Sequence, residues 1–279
     1  MQGRTISVDG VVTHYYEAGE EHKGKRPSIL LLHSAEFGGC AETSWEYNLP
    51  VLAQHYHVLA PDHLGFGLTD KVFDFNGQFN KRITHIRRFV EVMDVARVHV
   101  MGSSMSGGLC LTVAAREKPD WPIASVVCCS GGGDAPDNEA RKVLNTYDGS
   151  KEHMRRIVEV MFVDPKYAAD DAYIERRWKW SRVPGAWEAT AAARFKAPFP
   201  KEEAKSERDA INYANIKVPT LVYAGKHDTL RAAGYTDGFV PKISNCKLHP
   251  FEKAGHMGNI ECADEFNRIT LDFLKSVDG

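Results

Sequence analysis

The sequence has almost no surplus charge: 35 Lys and Arg stand against 37 Asp and Glu, a formal net charge of -2. Without a basic excess there is no electrostatic footprint for nucleic acid or for an anionic membrane surface, and neither is expected as a partner. No apolar run approaches the roughly 20 residues of a membrane-spanning helix. The opening stretch, MQGRTISVDG, lacks the charged-then-apolar pattern of a secretory leader, so none is expected. Cysteines are few: Cys40, Cys110, Cys128, Cys129, Cys246 and Cys262. Their spacing matches no zinc or redox motif, and no metal site is expected. Buried free thiols in a reducing cytoplasm are the expectation, with Cys128 and Cys129 inside the apolar run SVVCCS. Repeats and low-complexity segments are also missing. The 279 residues, 43% of them hydrophobic, suffice for a large core in one α/β domain with an insertion, or in two small domains.

Apolar runs of strand length punctuate the chain. TISVDG and VVTHYYEAG alternate about Asp9-Gly10, which predicts a hairpin. SILLLHS, YHVLAPD, VHVMG, SVVCCS and PTLVYAG are continuous, as strands buried on both faces of a sheet must be. Helical periodicity occupies about 80–94, 105–117 and 262–276. This alternation predicts an α/β fold: a mostly parallel central sheet with helices on both faces. From about 135 to 213 the alternation stops, and charged and aromatic residues recur at helical spacing with no convincing strand. The expected organisation is a core in two parts, 1–134 and 214–279, with a helical lid, 135–213, over the sheet's carboxyl edge. A separate helical domain is the alternative.

The stretch VHVMGSSMSGG, residues 98–108, runs from a strand into small residues. A G-x-S-x-G turn between a buried strand and a helix is a nucleophile elbow: small neighbours permit the tight turn, which lifts the serine above the sheet. Gly102-Ser103-Ser104-Met105-Ser106 fits, with Ser106 in place of the last glycine. A shifted frame would make Ser106 the nucleophile, but inside the first helical turn. The elbow needs its serine just after the strand, which favours Ser104.

The order expected in such a fold is Ser, then an acid, then His. Asp228 follows the strand PTLVYAG, and His256 sits in the Gly-flanked loop FEKAGHMGN before the last helix. His256 would accept the Ser104 proton, and Asp228 would orient the imidazole. Asp228 could instead cap a helix, with Asp134 the next acid to test, and His256 could be a plain turn histidine. His227 would scramble the order. Backbone N–H groups of Met105 and Ala35 are the expected oxyanion donors. Glu36 beside Ala35 is awkward, because its charge would oppose an oxyanion.

With these residues in place the chain resembles the meta-cleavage product hydrolases, C–C bond hydrolases of aromatic and steroid-ring degradation with the α/β-hydrolase fold. The likeness runs through HVLAPDHLGFGLTDK, the elbow segment, VMFVDPKYAADDAYIERRW and FEKAGHMGNIECADEFNRITLDFL. It implies Ser104, Asp228 and His256 as the triad. It also implies that Arg177 in the lid clamps a substrate carboxylate, for which a bidentate guanidinium is suited. A solvated helix face is the alternative for Arg177. Trp178 and Trp180 fit lid packing better than specificity, although Trp178 stands among the candidate substrate contacts. Where the family has Asn, Trp and Asn to orient the substrate, this chain has Ser103, Met257 and Ser44. The hydroxyls can still donate; Met257 cannot.

The expected activity is cofactor-free hydrolysis of a C–C bond in a 2-hydroxy-6-oxo-dienoate-like small molecule. An esterase, lactonase or amidase with the same triad is the alternative, and a non-enzymatic receptor on the fold is a third. The expected assembly is a homo-oligomer, a dimer or larger.

Overall fold

The computed structural model describes residues 2–195 and 211–279. Its strands are β1 (Gly3–Val8), β2 (Val11–Ala18), β3 (Ser28–Leu32), β4 (Val58–Pro61), β5 (Val98–Ser103), β6 (Ile123–Cys129), β7 (Thr220–Gly225) and β8 (Cys246–Phe251). They form one sheet in the order β1-β2-β4-β3-β5-β6-β7-β8. β1 with β2 and β2 with β4 are antiparallel; every later pair is parallel. The hairpin turns at Asp9 and Gly10, both at positive φ (48° and 85°), as a two-residue turn matched to strand twist requires.

The continuous apolar runs are explained by burial on both sides. Leu30, Leu32, Val100, Val126 and Cys128 enter one core; Ile29, Leu31, Met101, Val127 and Cys129 enter the other. Successive side chains on a strand point to opposite faces, so a strand covered on both has no polar alternate positions. Burial pushes the Cys128 and Cys129 thiols up to about 12. All six cysteines are free; Cys246 and Cys262 are only half-buried.

Helices α1 (Ala41–Trp45), α2 (Leu49–Leu52), α3 (Gln78–Val92) and α4 (Met105–Ala114) belong to the first part of the core. Between β6 and β7 lie α5 (Glu139–Asn145), α6 (Lys151–Met161), α7 (Lys166–Ala169), α8 (Asp171–Ser181) and α9 (Ala186–Ala192), with no strand among the described residues. α10 (Gly258–Glu261) and α11 (Ala263–Asp278) close the chain. α3 and α4 pack on one face of the sheet, and α1, α2 and α11 on the other. Residues 196–210 of the expected lid lie outside the described residues. The inserted helices share a third core in which Met154, Ile157, Val158, Met161 and Tyr173 meet Phe37, Leu230, Met257 and Ile260 of the sheet's loops. Among the described residues, no helix is long and apolar enough to cross a membrane.

Candidate active site

Parallel register brings the strand ends level. Leu32 pairs with Gly102, Ser103 with Cys129, Cys129 with Tyr223, and Gly225 with Phe251. The segments after β3, β5, β7 and β8 therefore leave the sheet along one edge, where open α/β sheets gather ligands. At the end of β5 the chain turns sharply. A Cβ on Gly102 would stand 2.2 Å from the Ser106 carbonyl oxygen, so only glycine allows the strand and helix to close on each other. Ser104 bears the strain of that turn, at φ 55° and ψ -112°, a conformation that a non-glycine residue holds only when its surroundings enforce it.

The Ser104 Oγ lies 2.7 Å from His256 Nε2, and His256 Nδ1 lies 2.8 Å from Asp228 Oδ2. Asp228 Oδ1 accepts from the Leu230 N–H at 2.9 Å. Burial works to raise the Asp228 carboxyl, but the charge and hydrogen bond of His256 outweigh it, and the net shift is downward. Asp228 thus stays ionised. The His256 N–H donates to the Met161 carbonyl at 2.8 Å, which ties the histidine loop to α6. Asp134 and His227 are exposed and take no part in this chain of bonds. Ser104 and His256 open into a pocket of about 300 Å³ between the sheet edge and the inserted helices, with Ala35 and Met105 in its wall. Met105 is the first residue of α4, so its N–H has no acceptor within the helix.

A family model described as "Alpha/beta hydrolase family" matches residues 29–269. The chain belongs to the alpha/beta hydrolase family. It is 30% identical over 272 residues to a 2-hydroxy-6-oxo-6-(2'-aminophenyl)hexa-2,4-dienoic acid hydrolase of Metapseudomonas resinovorans, covering 97% of this chain and 90% of that protein. A 2-hydroxymuconate semialdehyde hydrolase of Pseudomonas sp. (strain CF600) is 27% identical, over 99% of this chain and 95% of its own. Among solved structures, a meta-cleavage product hydrolase from Pseudomonas fluorescens IP01 superposes with a TM-score of 0.84 at 26% identity, over 98% of each chain.

The second serine of the hydrolase's elbow has a different setting. Ser106 is fully buried; its Oγ donates to the His33 carbonyl at 2.5 Å and lies 2.8 Å from His63 Nε2. It faces away from the pocket and fastens α4 to the loop after β3.

Arg177 is neither on a solvated face nor in the pocket wall. α8 buries Tyr173, Ile174, Arg177 and Ser181, a helical stripe that draws the guanidinium inward, while Arg176 points to Glu46. Arg177 is 0% exposed and donates to Glu36 Oε1 at 3.0 Å and to the Thr43 carbonyl at 3.2 Å. Its expected carboxylate partner is supplied by the protein itself. Burial opposes both charges, yet the pair holds: Glu36 is shifted downward by Arg177, and Arg177 upward by Tyr173 and Glu36. The Glu36 charge beside Ala35 is therefore compensated from behind. Glu36 lines the pocket, and its Oε2 is buried without a hydrogen-bond partner.

The other expected substrate contacts lie outside the wall. Ser103 Oγ is buried without a partner, and Ser44 Oγ is 3.1 Å from Ser34 Oγ. Met257 is fully buried in the core shared with the inserted helices. Trp178 Nε1 donates to the Gly149 carbonyl at 2.9 Å, inside the inserted segment. The wall instead carries Arg82, Arg141, Arg194 and Arg231. No motif marks these four, because they come from α3, α5, the end of α9 and the loop after β7, and they meet only in the fold.

Proposed function

We propose that this hydrolase cleaves a carbon–carbon bond in a ring-opened aromatic metabolite of the 2-hydroxy-6-oxo-dienoate type, without a cofactor, using Ser104, His256 and Asp228. The observation that carries the reading is the hydrogen-bonded series from Ser104 through His256 to Asp228 at a strained elbow, opening into a pocket beside the inserted helices. The substrate class is supported by the named activities of relatives that span nearly the whole chain.

In this mechanism His256 moves a proton on the dienol, giving the ketone whose developing carbanion can leave. Ser104, or a water it activates, then adds to the remote carbonyl as His256 takes the proton. The oxyanion collapses, the carbon–carbon bond breaks, the leaving carbon takes that proton from His256, and water hydrolyses any acyl-serine. Asp228, ionised and fixed by the Leu230 N–H, holds Nδ1 protonated and steadies the imidazolium. The N–H groups of Met105 and Ala35 receive the oxyanion, and helix α4 presents its N-terminus to it. In the same reading residues 135–213 act as a lid whose inserted helices shield the reacting carbonyl from bulk water. The free cysteines support a reducing cytoplasmic setting.

Hydrolysis of an ester or lactone is the second reading. One observation favours it: Glu36 already fills the clamp of Arg177. Turnover of coloured ring-cleavage products, followed by loss of visible absorbance, tests the first reading; p-nitrophenyl acetate tests the triad alone. Ester cleavage without loss of colour on any dienoate would leave the second reading standing. No turnover of either, with Ser104→Ala indistinguishable from wild type, would overturn both.

A further inference from the structure

Arg177 is engaged by Glu36 and the Thr43 carbonyl, but the pocket is still cationic. Besides Arg82, its wall holds Arg141, Arg194 and Arg231, and among the described residues Glu36, matched by Arg177, is its only carboxylate side chain. Among the described residues none of these last three arginines has a carboxylate partner. Arg231 is fixed by Nε to the Ser130 carbonyl at 2.8 Å and lies close to Asp228. Arg194 lies with its guanidinium 4.5 Å from the Phe37 ring centroid and donates to the Thr190 carbonyl at 2.7 Å. Longer bonds run to Asn145 Oδ1 and the Leu144 carbonyl, both 3.3 Å. Arg141 makes one long contact, from Nη1 to the Leu230 carbonyl at 3.5 Å, and most of its five donors have no acceptor. Helix α5 begins at an Asn138 cap that accepts the Arg141 N–H, so the side chain is anchored at a defined helix position.

Arg141, half-buried, and Arg194, exposed, line one small cavity, and among the described residues no carboxylate of its wall lies between them. Burial is the main force lowering both, each also feels another nearby arginine, and Arg194 is brought down to about 10. The two like charges repel, and an anion placed between them relieves that repulsion.

We infer that Arg141 and Arg194 form the anion-reading end of the pocket, so that the substrate's carboxylate is held by the inserted helices α5 and α9 rather than by Arg177. The substrate then lies with its anionic end toward α5 and α9 and its reacting carbonyl at Ser104. Glu36 closes the alternative seat: it neutralises Arg177 and repels a second carboxylate from that side. The inference rests on the hydrolytic reading of Ser104 and specifies which substrates that site takes.

Two chromogenic esters separate the ideas: 4-nitrophenyl butyrate, neutral, and mono-4-nitrophenyl glutarate, which ends in a carboxylate. Wild type should favour the glutarate ester through KM. Arg141→Gln and Arg194→Gln should each raise its KM about tenfold, and together about a hundredfold. These factors are modest because neither arginine is fully buried. KM for the butyrate ester, and kcat for both, should move less than about threefold. Arg194→Lys should recover part of the loss, since it keeps the charge but not the planar fork. Arg141→Gln guards against misfolding, because its side chain holds almost nothing in place. A binding arm needs no turnover: glutarate titrated calorimetrically into Ser104→Ala should lose affinity by similar factors on adding the arginine substitutions. Equal KM losses on both esters, or glutarate affinity unchanged by the substitutions, would overturn the inference. No hydrolysis of either ester or of any ring-cleavage dienoate would overturn the hydrolytic reading, and the calorimetric arm would still decide the anion seat.

Discussion

Ser104 and Ser106 sit on one short turn and face opposite ways, and the geometry assigns them different work. Ser104 points at His256; Ser106 ties the His33 carbonyl and His63 into the interior. Ser104→Ala should reduce kcat by about 10³-fold or more, because the three triad residues act as a unit. Ser106→Ala should leave kcat within about tenfold. It should cost about 1–3 kcal/mol of stability by leaving buried polar groups unpaired. Steady-state rates on an ester and urea melts of both variants check the pair; a reversal of the two patterns would move the nucleophile to Ser106. Asp228→Asn should fold normally and lose several orders of magnitude in rate through the wrong His256 tautomer. Near-normal rates in that variant would reduce Asp228 to a cap for the Leu230 N–H.

Among elements, α8 and the loop after β3 are joined by a buried ion pair. Removing one partner of such a pair costs about 3–5 kcal/mol, since the other charge is stranded. Arg177→Gln should therefore lose stability on that scale and lower activity on neutral and anionic esters alike. A folded Arg177→Gln that loses only anionic substrates would return Arg177 to the carboxylate role that the family resemblance implied. The central strands were legible in the sequence because burial on both faces leaves them uniformly apolar. Helices α3, α4 and α11 were legible from their apolar stripe, with ends within about three residues of expectation. That Ser104, Asp228 and His256 come together was legible because elbow and loop residues are local signals in a fixed order. Arg141 and Arg194 were not: each looks like one more charge on a polar helix, and only packing α5 and the end of α9 over the sheet edge turns them to one cavity. Nor could the partner of Arg177 be read, since Glu36 lies 141 positions away and its charge seemed only an obstacle.

At the scale of the molecule, buried imidazoles set how stability depends on acidity. His33 and His63, beside the elbow, are both pushed downward chiefly by burial. His85, on α3, is lowered to about 4, again chiefly by burial. Its Nε2 lies 2.9 Å from Thr13 Oγ1 on β2, and its Nδ1 is buried without a partner, so a second proton would find no acceptor. In the unfolded chain the same ring takes a proton near pH 6.5. A histidine whose folded value is depressed lends stability that is fully present above the unfolded value. That stability is lost as pH falls from there toward the folded value, because the unfolded state binds the extra proton. Each such proton gives a slope of about 1.4 kcal/mol per pH unit, so His85 alone should account for about 3 kcal/mol between pH 6.5 and 4. His85→Gln keeps a side-chain partner for Thr13 and cannot titrate. Its urea-derived stability should fall below wild type at pH 7.5, then converge on it as the pH drops toward 4, where the wild type has lost its advantage. Parallel curves for the two proteins across that range would show that His85 titrates alike folded and unfolded, and that the acid sensitivity of the fold arises from other groups.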